Sequence, residues 1–135
     1  MAGFNGVYPA LITPMTADGE LNEAALREVL EFNIQAGVHG FWVAGGTGES
    51  VLLEDEENMR IAEIVSDQSH GRIENIMHVG ASTTKRAVKL AEHAAKSGVE
   101  AICCVPPFFF FSLGSFISVI TVPTSNLRVS FHTGS

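Results

Sequence analysis

Charged side chains nearly vanish from the end of this chain. Of its eight Lys and Arg and fifteen Asp and Glu residues, only Arg128 lies beyond Glu100. Residues 112–135 hold six Ser, three Thr and no acidic residue, so two kinds of sequence meet near residue 111. Basic residues are scarce throughout, and the net charge of −7 offers nothing to a phosphate backbone or an anionic bilayer. Nucleic-acid and anionic-membrane partners are therefore excluded. Cysteine is limited to the adjacent pair Cys103-Cys104. Neighbours on a strand point to opposite faces, so a bond between these two is strained. Both read as reduced strand residues, which fits a reducing compartment such as the cytoplasm. Residues 1–6 have neither a basic nor a long apolar stretch, so no secretory leader is expected there. The five histidines, at 39, 70, 78, 93 and 132, form no H-x-H or H-E-x-x-H pairing, and no metal centre is expected. A G-x-S-x-G for a serine nucleophile is missing as well. No cofactor is implied.

What is present is organised around Ala44-Gly45-Gly46-Thr47-Gly48-Glu49-Ser50. An apolar run over 40–44 ends in three glycines within four positions, and Thr47 places a hydroxyl between the second and third. An acidic, helix-prone stretch begins at Glu54. Glycine permits positive φ and close backbone approach. A strand that ends in such a turn ahead of a helix exposes backbone N–H groups, which favour a carboxylate or a phosphate. The competing reading is a plain tight connection between strand and helix. The turn is not G-x-G-x-x-G, and it lacks the Lys of G-x-x-x-x-G-K-[ST], so both nucleotide motifs are rejected.

In chain order, residues 7–13 predict a first strand buried on both faces, with Pro9 tolerated near its start. Asn22 predicts an N-cap, and Leu26, Val29 and Leu30 give the helix that follows an apolar stripe. Asn33 extends that stripe as a partly exposed or backbone-bonded residue, and Gly37 suits the helix end. Residues 39–44 predict a second strand, with Trp42 as packing. A second helix is expected over about 55–68, its face formed by Ile61, Ala62 and Val65. Its opening run, Glu54 to Glu57, complements the helix dipole rather than holding a metal. A third strand falls within 73–80. A third helix capped by Ser82 or Thr83 uses Ala87, Leu90, Ala91 and Ala94, and a fourth strand covers 100–105. Gly37-Val38 and Gly98-Val99 both close a helix ahead of a strand, 61 residues apart, or two βα units of ordinary length. Strands and helices alternate with short connections, the pattern of a parallel sheet.

The glycine-rich turn resembles the G-T-T-G-E signature of the pyruvate-dependent class I aldolases, the superfamily of dihydrodipicolinate synthase and N-acetylneuraminate lyase. Other segments are similar in the same order: Ala10-Leu11-Ile12-Thr13-Pro14-Met15, Ala36-Gly37-Val38-His39-Gly40, His78-Val79-Gly80, Ser97-Gly98-Val99-Glu100-Ala101 and Pro106-Pro107-Phe108-Phe109. The resemblance runs from residue 6 to about 111 and implies an α/β fold. It corresponds to the N-terminal half of a TIM (β/α)8 barrel, strands one to four and helices one to three. Such a barrel takes about 250 residues. Residues 1–111 are thus expected as a partial barrel. Residues 112–135 are expected as an unrelated tail outside the fold, of the kind a splice variant, a retained intron or a frameshift would give.

The resemblance also implies chemistry. Relatives form a Schiff base between a lysine on strand six and pyruvate or another 2-oxo acid, an amine nucleophile making an electron sink. A tyrosine on strand five shuttles protons, and the glycine-rich turn holds the carboxylate. Gly46 and Thr47 match the two central positions of that turn, so they are the expected substrate-binding residues. Gly46 removes one of the signature's hydroxyls, a version that looks most like the sugar-acid dehydratase branch. No residue here matches the lysine or the shuttle. Lys85, Lys89 and Lys96 fall on helix three, Tyr8 on strand one, and Phe109 stands where many relatives carry a tyrosine. The chain is expected to be a lyase by ancestry and inactive itself, its ligand a small 2-oxo acid held weakly. A second reading is a half barrel that pairs with its own copy or a full-length relative. A third, a membrane segment in the uncharged 101–123, is opposed by Pro106-Pro107 and by the lack of flanking basic residues.

Overall fold

In the computed structural model, residues 4–105 and 120–123 are described. Three helices and three parallel strands alternate, and a fourth strand closes the edge. The elements are α1 (Glu23–Gln35), β1 (Gly40–Val43), α2 (Asp55–Ser69), β2 (Glu74–His78), α3 (Thr84–Ser97), β3 (Ala101–Cys104) and β4 (Ile120–Pro123). The sheet order is β1-β2-β3-β4, parallel through β3, and β4 runs antiparallel to it.

Local chemistry fixes the helix ends. The Asn22 side chain accepts from the Ala25 N–H at 3.0 Å, and Thr83 accepts from Arg86. Gly37 and Gly98 follow the ends of α1 and α3 at φ +85° and +96°, where a side chain would be strained. Asn33 is half-buried and donates to the Val29 carbonyl at 2.8 Å, the backbone-bonded role anticipated for it. Glu57 opens α2 by accepting from the Glu54 N–H at 2.8 Å. Asp55 binds Arg86 at 2.6 Å and Lys89 at 3.3 Å, so the acidic run caps α2 and ties it to α3.

The two faces of the sheet differ. Phe41, Val43, Met77, Val79 and Ile102 pack against Leu26 and Leu30 of α1, Ile61, Ile64 and Val65 of α2, and Leu90 and Ala94 of α3. Burial of this surface at roughly 25 cal/mol per Å² is the main stabilising term. The opposite face is smaller: Ile76, Ala101 and Cys103, flanked by Phe4, Tyr8 and Trp42. In a barrel this second face looks inward.

Residues 7–13 depart from the expected strand. They run parallel to β1 but form a single bridge, Ala10 to Trp42. Trp42 N–H donates to Pro9 O, and Leu11 N–H donates to Trp42 O, each at 3.0 Å. Pro9 has no N–H to extend the ladder, and the Val7 N–H goes to the His39 ring. Nor is the segment buried on both faces, because Val7 and Ile12 are 60% and 53% exposed.

The tail differs as well. Ile120–Pro123 pairs with β3 residue for residue, so this part of 112–135 belongs to the sheet. An open β3 edge would leave a row of N–H and C=O groups without partners, and an uncharged, β-branched segment satisfies them. The remainder of the tail, the proposed junction at 111 and the Pro106 to Phe109 loop lie outside the described residues. Among the described residues no helix is long and apolar enough to cross a membrane.

Candidate functional site

β1 delivers the glycine-rich turn to the carboxyl end of the sheet. Its glycines have different reasons to be there. A Cβ at Gly48 would lie 2.9 Å from the Ala44 Cα and 3.1 Å from the Leu11 carbonyl, so backbone crossing requires glycine. At Gly45 it would meet the Trp42 indole at 2.6 Å. At Gly46 it would meet nothing within 4 Å. Two residues that are not glycine flank the turn at positive φ, Ala44 at +49° and Glu49 at +56°. Strain of this kind persists only where the surroundings enforce it. Three bonds do so: Glu49 N–H to Gly46 O at 3.1 Å, Ser50 N–H to Gly45 O at 3.2 Å, and the Thr13 hydroxyl to Gly48 O at 2.7 Å.

The result is a rigid turn with open donors. Gly46 and Thr47 are exposed, and among the described residues their N–H groups donate to no protein acceptor. The α2 N-terminus does not adjoin the turn, because a short 3-10 segment, Ser50–Leu52, separates them. Any anion preference there comes from the turn's own N–H groups.

His78 ends β2 at the same end of the sheet. It is 3% exposed, and neither ring nitrogen has a hydrogen-bond partner of ordinary geometry. Burial pushes its pKa down, partly countered by the Ala44 backbone, so the ring is neutral near pH 7. Cys103 pairs in register with His78, and burial pushes its thiol up to about 12, far from a thiolate nucleophile. Both cysteines are free. Among the described residues no group of three His, Cys, Asp or Glu is placed to hold a metal.

The sequence-predicted residues fall into two groups. Gly46 and Thr47 lie side by side at the carboxyl end. Tyr8 does not join them: its hydroxyl donates to Glu74 at the start of β2, and burial followed by that bond raises its pKa to about 12. Lys85, Lys89 and Lys96 are exposed on α3. Phe109 lies outside the described residues. The sequence reading passed over Thr13, His78 and the strained Ala44 and Glu49. The signals were slight: a hydroxyl before Pro14, and an imidazole ending an otherwise apolar strand.

Known proteins share much of this sequence and fold. The sequence profile of the Dihydrodipicolinate synthetase family matches residues 3–113. N-acetylneuraminate lyase of Rhizobium meliloti is 36% identical over 105 residues, 78% of this chain and 35% of that protein. The structure of dihydrodipicolinate synthase from Aquifex aeolicus superposes with a TM-score of 0.75 at 36% identity, covering 78% of this chain and 36% of that one. A catalytic lysine mutant of the Ruminococcus gnavus sialic acid aldolase superposes at 0.77 and 29% identity, covering 81% and 36%. The chain thus spans about a third of the length of the curated relatives it matches, and the part it shares is an N-terminal portion of their α/β barrel. It belongs to the dihydrodipicolinate synthetase family.

Proposed function

We propose that this chain keeps the carboxylate cradle of a Schiff-base aldolase without the covalent chemistry. The ligand is a small 2-oxo acid of the pyruvate type. Its carboxylate accepts from the backbone N–H groups of Gly46 and Thr47 and from the Thr47 hydroxyl. One observation carries the reading: two adjacent exposed N–H groups with no protein acceptor, on a turn held rigid from both sides. Each such bond competes with water and contributes about 0.5–1.5 kcal/mol, somewhat more to a charged partner. After the entropy cost of association, affinity is no better than roughly millimolar.

Covalent turnover needs an amine nucleophile, and a catalytic lysine is named for the Ruminococcus gnavus sialic acid aldolase. The three lysines here are on α3, and Lys89 is engaged with Asp55. This chain therefore forms no Schiff base. Incubation with pyruvate and borohydride leaves its intact mass unchanged, and a stoichiometric pyruvyl adduct on one lysine would defeat the proposal. An NMR titration of the full chain with pyruvate tests the cradle. Shifts centre on Gly46 and Thr47, vanish in Thr47→Val, and persist when Lys85, Lys89 or Lys96 is changed. Shifts on α3 with none in the turn, or micromolar affinity, would overturn it.

A second reading is supported by a different observation. Ile12, Val51 and Leu52 are large, apolar and exposed around the turn, Val51 at 66% and Leu52 at 74%. A second copy or a full-length relative would cover them, which makes the chain a modulating partner. Size-exclusion mass with and without such a relative decides. A strictly monomeric chain that leaves the relative's mass unchanged removes this reading.

A further inference from the structure

We propose that His78 is a ligand-facing member of the cradle, donating a ring N–H to the carboxylate that the Gly46 and Thr47 amides hold. The inference rests on the 2-oxo-acid reading above and extends it to a residue on another strand.

Placement is the first support. Ile76 and His78 are two apart on β2 and share the face opposite the helices. Trp42 stands in register with Ile76, and Ala44 is two residues beyond Trp42, so Ala44 is level with His78. The imidazole therefore lies one strand over from the residue that opens the turn.

Direction is the second. A Cβ at Gly80 would sit 2.7 Å from His78 Nε2 and 2.8 Å from Cε1. The ring leans beyond its own strand end, and glycine at 80 makes the room. It leans toward the end of the sheet that carries the open N–H groups.

Lack of a well-formed partner is the third, since the Ala44 backbone is near the ring but outside ordinary hydrogen-bond geometry. Buried polar atoms are nearly always bonded, and one that is not lowers stability. The register neighbours at this face are apolar, Ile76 and Ala101 in the layer below and Cys103 alongside. An aliphatic side chain in place of His78 would carry no such cost. A neutral imidazole offers one N–H; the Ala44 backbone lies near the ring without meeting hydrogen-bond geometry, and an anion between the turn and β2 supplies an acceptor that does.

The experiment is a pyruvate titration of the full chain with its histidine ring nitrogens labelled. The His78 nitrogens shift along the same saturation curve as the Gly46 and Thr47 amides. His78→Leu melts higher than the parent chain and binds pyruvate about threefold to tenfold more weakly, the factor that one hydrogen bond supplies. His78→Gln, which keeps an N–H, regains most of that loss. A merely structural histidine predicts the higher melting point with unchanged affinity, and that result overturns the proposal. Amide shifts at Gly46 and Thr47 with a silent His78 ring overturn it while leaving the cradle standing. No shifts at Gly46 and Thr47 end both. Should His78→Leu fail to fold, the ring titration of the parent chain decides alone.

Discussion

The two ends of the sheet treat polar groups in opposite ways. At the amino end most polar groups are engaged, with the buried Ser66 hydroxyl one turn before the end of α2 as an exception. Tyr8 bonds Glu74, the Asn75 N–H donates to Glu100 at 2.7 Å, and the His39 ring accepts from Val7. The buried Asn75 side chain also meets Ser69 at 3.3 Å and Glu100 at 3.4 Å. At the carboxyl end two N–H groups and an imidazole are left over, and two residues are held at unusual φ. Mostly satisfied groups at one end and spare donors at the other separate a part that stabilises the fold from the part proposed to meet a ligand. The same division holds in barrels generally, where chemistry sits at the carboxyl ends of the strands.

Substitutions at the two ends can break this contrast. The largest effect is expected for Gly40→Ala at the amino end, where a Cβ would overlap the Glu74 carbonyl and the Tyr8 ring. Overpacking against backbone costs about 3 kcal/mol, read as a lowered midpoint in urea unfolding. A loss below about 1 kcal/mol would mean the amino end is softer than described. Next comes Asn75→Leu, which strips partners from Ser69 and Glu100 and costs about 1–3 kcal/mol. By contrast, His78→Leu at the other end raises the melting point. If both substitutions destabilise equally, the contrast fails.

A pH series sharpens the comparison. Burial holds the His78 pKa below its value in the unfolded chain, about 6.5. Above pH 7 the ring is neutral in both states and contributes nothing to the pH dependence. As pH falls below about 6.5, the unfolded chain takes up a proton that the folded chain refuses, so stability drops with acid. Glu23, Glu31, Asp55 and Glu63 are held low by arginine partners, so their contribution is present above their unfolded pKa and is lost only at lower pH. The window between about pH 5 and 7 therefore reports on the histidines, and the part of the slope that His78→Leu removes is the part due to His78. Urea midpoints across that window check the slope, and a slope unchanged in His78→Leu would contradict the assignment. The smallest effect is expected for Gly46→Ala, whose Cβ enters open space at an ordinary φ. Its stability stays within about 0.5 kcal/mol of the parent, and a larger loss would mean the space over the turn is already filled.

Much of the scaffold was legible because its signals are local. Asn22, Thr83, Gly37 and Gly98 sit at helix ends for reasons found within three or four residues, and the periodicity of Leu26, Leu30, Leu90 and Ala94 gives the buried faces. The turn was legible as well, since three glycines in four positions announce themselves. What escaped depends on neighbours distant in the chain. Pro9 limits the first segment to one bridge only because β1 lies beside it and a longer ladder needs an N–H that proline lacks. Ile120–Pro123 reads as tail until β3 offers an edge. The bond from Thr13 to Gly48 spans 35 residues, and the isolation of His78 exists only once two strands are side by side.

The three glycines of the turn also differ in what descent can do with them. Gly45 and Gly48 are locked by the Trp42 indole and by backbone, so a lineage that changes either must rebuild the crossing. Gly46 is locked by nothing. A hydroxyl residue, as in the G-T-T-G-E signature this turn resembles, can come or go there without disturbing its neighbours. The side-chain chemistry offered over the turn can therefore drift at a single codon while the architecture around it stays fixed.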